Sequence, residues 1–421
     1  FLNNINYRKI MSLIKENIKD LLPSSTLLIN EMCKEMSRAG KMIYQFGFGQ
    51  SPFPVPEKIV EALKVNAHQK DYLPSKGLFE LRKSIASFLT KKGYQNLSHE
   101  NIIIGPGSKE LMFLLQVAFD GEIILPVPSW VSYAPQAIIA KNKYHWIQTK
   151  KETNWHISPE HIDQIASKIE TKNKLIILNS PNNPSGTNIH LLKELGEVFT
   201  KHNITVLSDE IYSELYFKDN YKSISHFHEN TIVSSSLSKW AGAGGWRVGY
   251  FAVPNNLIEI FEKLAVLGTE TFSAVSAPTQ FAAITAYEED HSEYLNKSKK
   301  ILHVIAHYVY EQLKQLDIDM IEPEGGFYLM PDFTRMLSKK FKNSKDFCQA
   351  LLNESGVAVL PGSDFGFPVE KLIFRLSFVD FNGSEFLKVN NSDITEENLP
   401  KYAPKIVDGI QQIIKFAKKH I

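Results

Sequence analysis

Short runs of apolar, β-branched residues fill the middle of the chain, separated by segments whose apolar positions recur every three or four residues. The runs at 101–104, 122–125, 175–178, 204–207, 231–234 and 247–253 read as buried strands. Between them, 109–119 and 191–202 carry the spacing of helices that cover one face of a sheet. Strand alternating with helix predicts an α/β fold with a mostly parallel, doubly wound sheet. Past about residue 294 the pattern changes to long charged helices, at 295–316 and 399–420, around Gly-Gly and Pro-Gly turns and short strands at 327–330 and 373–378. This predicts a large domain over 51–294 and a smaller α+β domain over 295–421, which the N-terminal segment 1–50 joins. No repeat of fixed period and no low-complexity tract interrupts the pattern.

Composition narrows the class. At 421 residues with 43% hydrophobic and 22% charged, the chain is long enough for a deep pocket and is neither fibrous nor disordered in character. Lys and Arg number 47 against 46 Asp and Glu, so no global basic field exists to hold a nucleic acid or an anionic membrane, and neither is expected as a partner. Apolar stretches such as 113–115 and 175–178 fall far short of the ~20 residues of a spanning helix. The first 25 residues mix Arg8, Lys9, Lys15, Glu16, Lys19 and Asp20 with Ile and Leu at helical spacing, unlike a secretory signal. Cys33 and Cys348 form no C-x-x-C pair, so neither a disulfide framework nor a thiol zinc site is expected, and a reducing, cytoplasmic compartment fits.

In open sheets of this kind ligands bind beyond the carboxyl ends of the strands, and three polar clusters fall there. Asn179 to Thr187, containing Asn183-Pro-Ser-Gly186, follows one strand; Asp209-Glu-Ile-Tyr212 follows the next; Ser236-Leu-Ser238-Lys239 follows a third. Taken singly, each has an ordinary explanation. A lone lysine near a turn is usually a solvated charge, Asp209 can cap a helix, and Asn-Pro-Ser-Gly is a turn. Lys239, however, has glycines at 242, 244 and 245 and Arg247 eight residues on, which suits a buried amine that condenses with a carbonyl beside a phosphate clamp. Arg375 lies in an apolar run at 372–378, where a charge is costly unless paired, and a ligand carboxylate held bidentately is the natural partner.

Together, Asn-Pro-Ser-Gly at 183–186, Ser-Asp-Glu-Ile-Tyr at 208–212, Ser-Leu-Ser-Lys at 236–239, Gly-Trp-Arg-Val-Gly at 245–249 and Phe-Arg-Leu-Ser-Phe at 374–378 resemble, in this order, the pyridoxal-phosphate-dependent aminotransferases of fold type I, class I/II. The resemblance implies transfer of an amino group from an L-amino acid to a 2-oxo acid, with Lys239 holding pyridoxal 5'-phosphate as a Schiff base and then shuttling a proton. Asp209 would pair with the pyridine nitrogen. Asn183 and Tyr212 would bond the phenolic oxygen, with one helical turn between Asp209 and Tyr212 letting both face the ring. Arg247, Ser236 and the helix start at Gly107, Ser108 and Lys109 would hold the phosphate, with Ser238 as the other nearby hydroxyl. Lys109 replaces a small polar residue, leaving three roles open: a phosphate contact, a distal-carboxylate contact or solvent exposure. Trp130 matches the residue stacked on the pyridine, against a reading as a core tryptophan. Arg375 matches the substrate α-carboxylate clamp, and Gly49 the glycine beside it. Tyr72 matches the tyrosine that reaches across a twofold interface to the other subunit's phosphate, implying a homodimer with shared sites, against a reading as a loop tyrosine packed in its own chain.

Other readings fare worse or stay beside this one. Gly105-Pro-Gly107 and Gly242-Ala-Gly244 both lack the third glycine of a dinucleotide fingerprint, and Lys109 is followed by Glu110 rather than the Ser or Thr of a P-loop. His226-Phe-His228-Glu229 suggests a metal site without a third ligand, and a solvated loop is preferred. A β-lyase, a decarboxylase or a γ-elimination enzyme of the same fold remains open, as does a non-catalytic cofactor-binding regulatory domain. The amino donor stays open too. No second arginine is placed to read a distal carboxylate, while Phe48, Phe53, Trp130 and Tyr133 can line an apolar pocket. Gln50, Ser51 and Pro52 stand where the family commonly has Glu-Pro-Asp, so its side-chain specificity does not carry over.

Overall fold

The computed structural model describes residues 13–421; Arg8 and Lys9 lie outside the described residues. From 13 to 24 the expected helical spacing yields only a 3₁₀ turn at Glu16–Ile18, and the first helix starts at Ser25. A two-residue strand, β1 (Tyr44–Gln45), comes next. Seven strands then build the main sheet: β2 (Ile102–Gly105), β3 (Glu122–Val127), β4 (Tyr144–Gln148), β5 (Lys174–Asn179), β6 (Ile204–Asp209), β7 (Thr231–Ser236) and β8 (Gly249–Ala252). Four short strands follow: β9 (Tyr328–Leu329), β10 (Val357–Ala358), β11 (Leu360–Pro361) and β12 (Phe374–Ser377).

The main sheet runs β2-β8-β7-β6-β5-β3-β4; only β8 is antiparallel to its neighbours. Every residue of β2, β3, β5, β7 and β8 is buried, as continuous apolar runs covered on both faces require. Each fully buried Ile, Leu or Val there contributes about 1.5–3 kcal/mol. Strand β4 is absent from the sequence reading for a physical reason. Its Tyr-His-Trp-Ile-Gln lies at the sheet edge with only Ile147 buried, so no apolar run marks it. The predicted strand at 247–253 starts only at Gly249, because Arg247 takes a left-handed conformation (φ 56°) that no strand continues through.

Helices Ser108–Ala118 and Leu192–Lys201 cover the sheet within a residue or two of their predicted ends, and Ser292–Lys314 occupies most of 295–316. The predicted helix over 399–420 is two helices, Leu399–Tyr402 and Pro404–Lys419, because Pro404 disfavours a helical conformation at Ala403. Outside the main sheet, β11-β12-β9 form a small antiparallel sheet, and β1 pairs in parallel with β10. Among the described residues no helix is long and apolar enough to cross a membrane.

The carboxyl ends of β5, β6 and β7 are level. Asn179 pairs with Asp209, and Asp209 with Ser234. Beside them Gly249 opens β8 opposite Ser236 of β7 and Gly105 of β2. A Cβ on Gly249 would stand 2.3 Å from the backbone nitrogen of Ser108, so only glycine lets β8 approach the start of helix Ser108–Ala118 this closely. Gly249→Ala is therefore expected to cost about 1–3 kcal/mol in urea unfolding. A loss below ~0.5 kcal/mol would show that β8 and the 107–108 turn separate freely.

Candidate active site

Asp209 ends β6 with 4% of its surface exposed. The Tyr133 hydroxyl donates to its Oδ2 at 2.7 Å, while Oδ1 is buried without a partner. Burial pushes the carboxyl up to about 6, against the Tyr133 hydrogen bond, the Ile211 backbone and the charge of Lys239. Tyr212 is not one helical turn from Asp209, as expected from the sequence. It lies in the turn between β6 and the 3₁₀ segment Ser213–Leu215, and the chain reverses there because Ser213 N–H bonds Glu210 O. Both side chains nonetheless face Lys239, whose Nζ is 5.7 Å from the Tyr212 ring centroid and which feels the charge of Asp209. The Lys239 ammonium donates to the Gly49 carbonyl at 2.7 Å, and burial lowers its pKa. The neighbouring carboxylate, Glu210, turns the other way. It accepts from Ser208 at 2.8 Å and from Tyr94 and Ser223, and burial raises it to about 7.

An anion cradle adjoins these groups. Helix Ser108–Ala118 has Gly107 (φ 83°) at its N-cap and no side-chain cap, so its first N–H groups stay free. The Arg247 guanidinium lies over Gly107, where a Cβ would stand 2.3 Å from Nη2; its nitrogens donate to Gly244 O at 2.8 Å and Pro106 O at 3.2 Å. Ser236 is fully buried opposite Gly249, and its Oγ accepts from the Ser238 backbone at 3.1 Å. Lys109 is exposed, with Nζ 5.4 Å from the centroid of Trp130, and desolvation followed by the charge of Arg247 lowers its pKa. Trp130 is half-buried, edge-on to Tyr133 at 5.4 Å, at the margin of a core cluster.

Arg375 reaches the same space from β12 at 1% exposure. It donates from Nη1 to Asn183 Oδ1 at 3.0 Å and from Nη2 to Gly47 O at 2.5 Å, whereas buried Nε has no partner. Its guanidinium carbon sits 4.5 Å from the Tyr328 ring centroid and 5.2 Å from that of Phe365. Tyr328 in turn hydrogen-bonds Tyr212 hydroxyl to hydroxyl at 2.8 Å. The sequence reading passes over Tyr328 and treats Tyr133 only as pocket lining; the one local signal for Tyr328 is Gly325-Gly326 ahead of it, with Gly326 at φ 71°. Phe53 packs in the core, edge-on to Tyr294 and Phe381. One expectation fails. His228 is buried rather than in a solvated loop, with its ring nitrogens bonded to Thr200 and Ile204. Tyr72 stays outside the cluster at 92% exposure, so it is not packed within its own chain.

A lysine of lowered pKa, a buried carboxylate with one free oxygen, an anion cradle and a buried arginine at the carboxyl edge of an α/β sheet define an enzyme that works through a phosphorylated, nitrogen-bearing cofactor. The chain belongs to the aminotransferase class I and II family, whose profile matches residues 41–403. It is 33% identical to an aspartate aminotransferase of Bacillus subtilis, over 97% of this chain and 99% of the relative. It is 29% identical to an asparagine–oxo-acid transaminase of Streptococcus mutans, over 85% and 93%. The solved aspartate aminotransferase of Thermotoga maritima superposes with a TM-score of 0.80 at 25% identity, covering 96% of this chain and all of that one. The protein is a transaminase that uses pyridoxal 5'-phosphate. Its residues fit that group. The orphaned Oδ1 of Asp209 suits a protonated ring nitrogen, and the uncapped helix start with Arg247 suits a phosphate.

Because burial raises the Asp209 pKa from 3.8 to about 6, the folded state holds this proton more tightly than the unfolded chain. The group therefore costs the cofactor-free protein stability as pH rises through that range, and the cost persists above it. Asp209→Asn is expected to raise the Tm of the cofactor-free protein by a few °C at pH 8, with the difference vanishing below about pH 4. A variant no more stable than the parent at pH 8 would show that Oδ1 is already paired.

Proposed function

We propose that this transaminase takes L-amino acids bearing a side-chain carboxylate as donors and 2-oxo acids as acceptors, in a cytoplasmic homodimer whose two sites each use residues of both chains. The observation that carries the donor class is Lys109. Its ammonium stands at the site beside Trp130 and Arg247, with no carboxylate paired to it among the described residues. A second carboxylate on the substrate supplies the missing partner. The names of the relatives, aspartate aminotransferases among them, support the same reading. Cys33 and Cys348 are both free and buried, which suits a reducing compartment.

Bound pyridoxal phosphate supplies a ring that accepts the electron pair released at the amino acid's α-carbon. Asp209 Oδ1 would hold the proton on the ring nitrogen, with the other carboxylate oxygen fixed by Tyr133. Gly107, Ser108, Ser236 and Arg247 would hold the phosphate, Tyr212 and Asn183 would bond the ring oxygen, and Trp130 would stack on the ring. Arg375 holds the α-carboxylate through its free Nε edge beside Gly49, with Asn183 fixing the guanidinium. Lys239 Nζ, its pKa lowered by burial, is available as nucleophile and then as the base that moves the α-proton. The division into a segment 1–50, a large domain 51–294 and a small domain 295–421 belongs to this reading. The β1–β10 pairing supports the first boundary, while the second falls inside helix Ser292–Lys314.

Lys109→Ala is expected to lower kcat/KM for aspartate and glutamate about 10–100-fold while leaving alanine and phenylalanine within threefold. Equal losses across a donor panel, or a parent that prefers monocarboxylic donors, would remove the assignment. For the shared site, chains carrying Tyr72→Ala are mixed with chains carrying Lys239→Ala. If Tyr72 serves the partner's site, each mixed dimer gathers both defects in one site and restores the other, so activity rises above the mean of the separate parents. Activity at or below that mean, or a fully active monomer in sedimentation, would refute the shared site.

A further inference from the structure

Tyr328 lies between the two groups that the proposed function assigns to opposite ends of the reacting molecule, and neither its ring nor its hydroxyl has been given a task. We propose that Tyr328 is a positioning residue that couples Arg375 to Tyr212, its ring fixing the guanidinium plane and its hydroxyl polarising the Tyr212 hydroxyl. This rests on the reading that Arg375 holds the α-carboxylate and Tyr212 the cofactor's ring oxygen.

The ring does the first task. Arg375 is buried with its guanidinium carbon 4.5 Å from the Tyr328 ring centroid and 5.2 Å from that of Phe365, and its Nη1 and Nη2 each donate one hydrogen bond, to Asn183 and Gly47. Two rings this close restrict the guanidinium plane, and the two hydrogen bonds restrict its rotation. Only buried Nε remains unpartnered, so a carboxylate meets an edge already aimed.

The hydroxyl does the second. Tyr328 and Tyr212 share one hydrogen bond of 2.8 Å, and either oxygen can donate in it. With the Tyr212 hydroxyl donating its hydrogen bond to a bound cofactor, only Tyr328 would be left to donate within the pair. The chain of donors then runs from Tyr328 through Tyr212, and each bond strengthens the next. The charged groups acting on this pair and on adjacent Lys239 are Arg375, Asp209 and Arg247, none of which hydrogen-bonds either hydroxyl. Gly49 makes the arrangement possible, because a Cβ there would stand 1.9 Å from the Tyr328 hydroxyl oxygen. The need for glycine at 49 thus comes from Tyr328 as well as from the Lys239 hydrogen bond to its carbonyl.

The test uses the cofactor-loaded enzyme with two substitutions and two readouts that need no turnover: the pH midpoint of the cofactor's visible band, and the Kd for succinate, a dicarboxylate without an amine. Tyr328→Phe keeps the ring. It is expected to leave the succinate Kd within twofold and to raise the midpoint by roughly 0.3–1 unit, because weaker donation from Tyr212 leaves more negative charge on the ring oxygen to retain the nearby proton. Tyr328→Leu removes the ring and is expected to weaken succinate about 3–30-fold. In a Tyr212→Phe background, Tyr328→Phe should move the midpoint no further. Three results would overturn the proposal: an unchanged midpoint in Tyr328→Phe, an equal shift in the Tyr212→Phe background, or succinate affinity in Tyr328→Leu within twofold of the parent. A Tyr328→Leu chain that does not fold leaves the decision to the Phe variant and its double mutant. If the parent enzyme shows no visible band that titrates, the reading of the site fails; if it does and the variants match it, only the role of Tyr328 fails.

Discussion

A carboxylate shut away from water at the end of a buried strand, with one of its two oxygens unpartnered, is the constraint around which the rest of this molecule is arranged. Left alone, the charge on Asp209 would cost several kcal/mol. The sheet does not relieve that cost; it enforces it, because the paired, fully covered strands on either side leave Asp209 no route to solvent. Tyr133 satisfies one oxygen and Lys239 lies close enough to lower the charge penalty, yet the carboxyl still sits well above its ordinary range. A cationic ring nitrogen would relieve the instability that remains.

The cations tell the complementary story. Lys109, Lys239, Arg247 and Arg375 come together in a chain whose net charge is only +1, and Arg247 lowers the pKa of both Lys109 and Lys239. Protein carbonyls hold three of them: Gly49 for Lys239, Gly244 and Pro106 for Arg247, and Gly47 for Arg375. A carbonyl orients a cation without neutralising it. The site therefore keeps a local excess of positive charge that a phosphate and a substrate carboxylate can discharge. Glycine sets the approach distances at 49, 107 and 249, where any side chain would strike Tyr328, Arg247 or the start of helix Ser108–Ala118.

Much of this was legible in the sequence because the chemistry sits at the ends of strands, where apolar runs stop and polar residues start. Asn183, Asp209, Ser236 and Lys239 stand out in that way, and the sheet brings them to one edge. Tyr133 and Tyr328 do not. Each is an aromatic residue in a stretch that reads as ordinary core, and what distinguishes them is a single hydroxyl whose partner lies 76 or 116 residues away. The same blindness to partners hid the burial of His228, and edge strand β4 had too few buried positions to show a period. Local pattern reports which residues are inside; it is silent on what a buried polar atom touches.

The two adjacent carboxylates at the end of β6 set a limit on how this chain can diverge. Asp209 meets Tyr133 on one side and Glu210 meets Tyr94, Ser208 and Ser223 on the other, so each already belongs to a separate set of hydroxyls. Deleting one residue within β6 would slide Glu210 into the register position of Asp209 and turn it onto Tyr133's side with a longer stem, while stripping Tyr94 and Ser223 of their acceptor. The site would still hold a carboxylate, which a motif search would accept, yet both networks would be mismatched. A one-residue deletion or insertion in β6 is therefore expected to disable the site, whereas one in a connection beyond these residues leaves both networks in place.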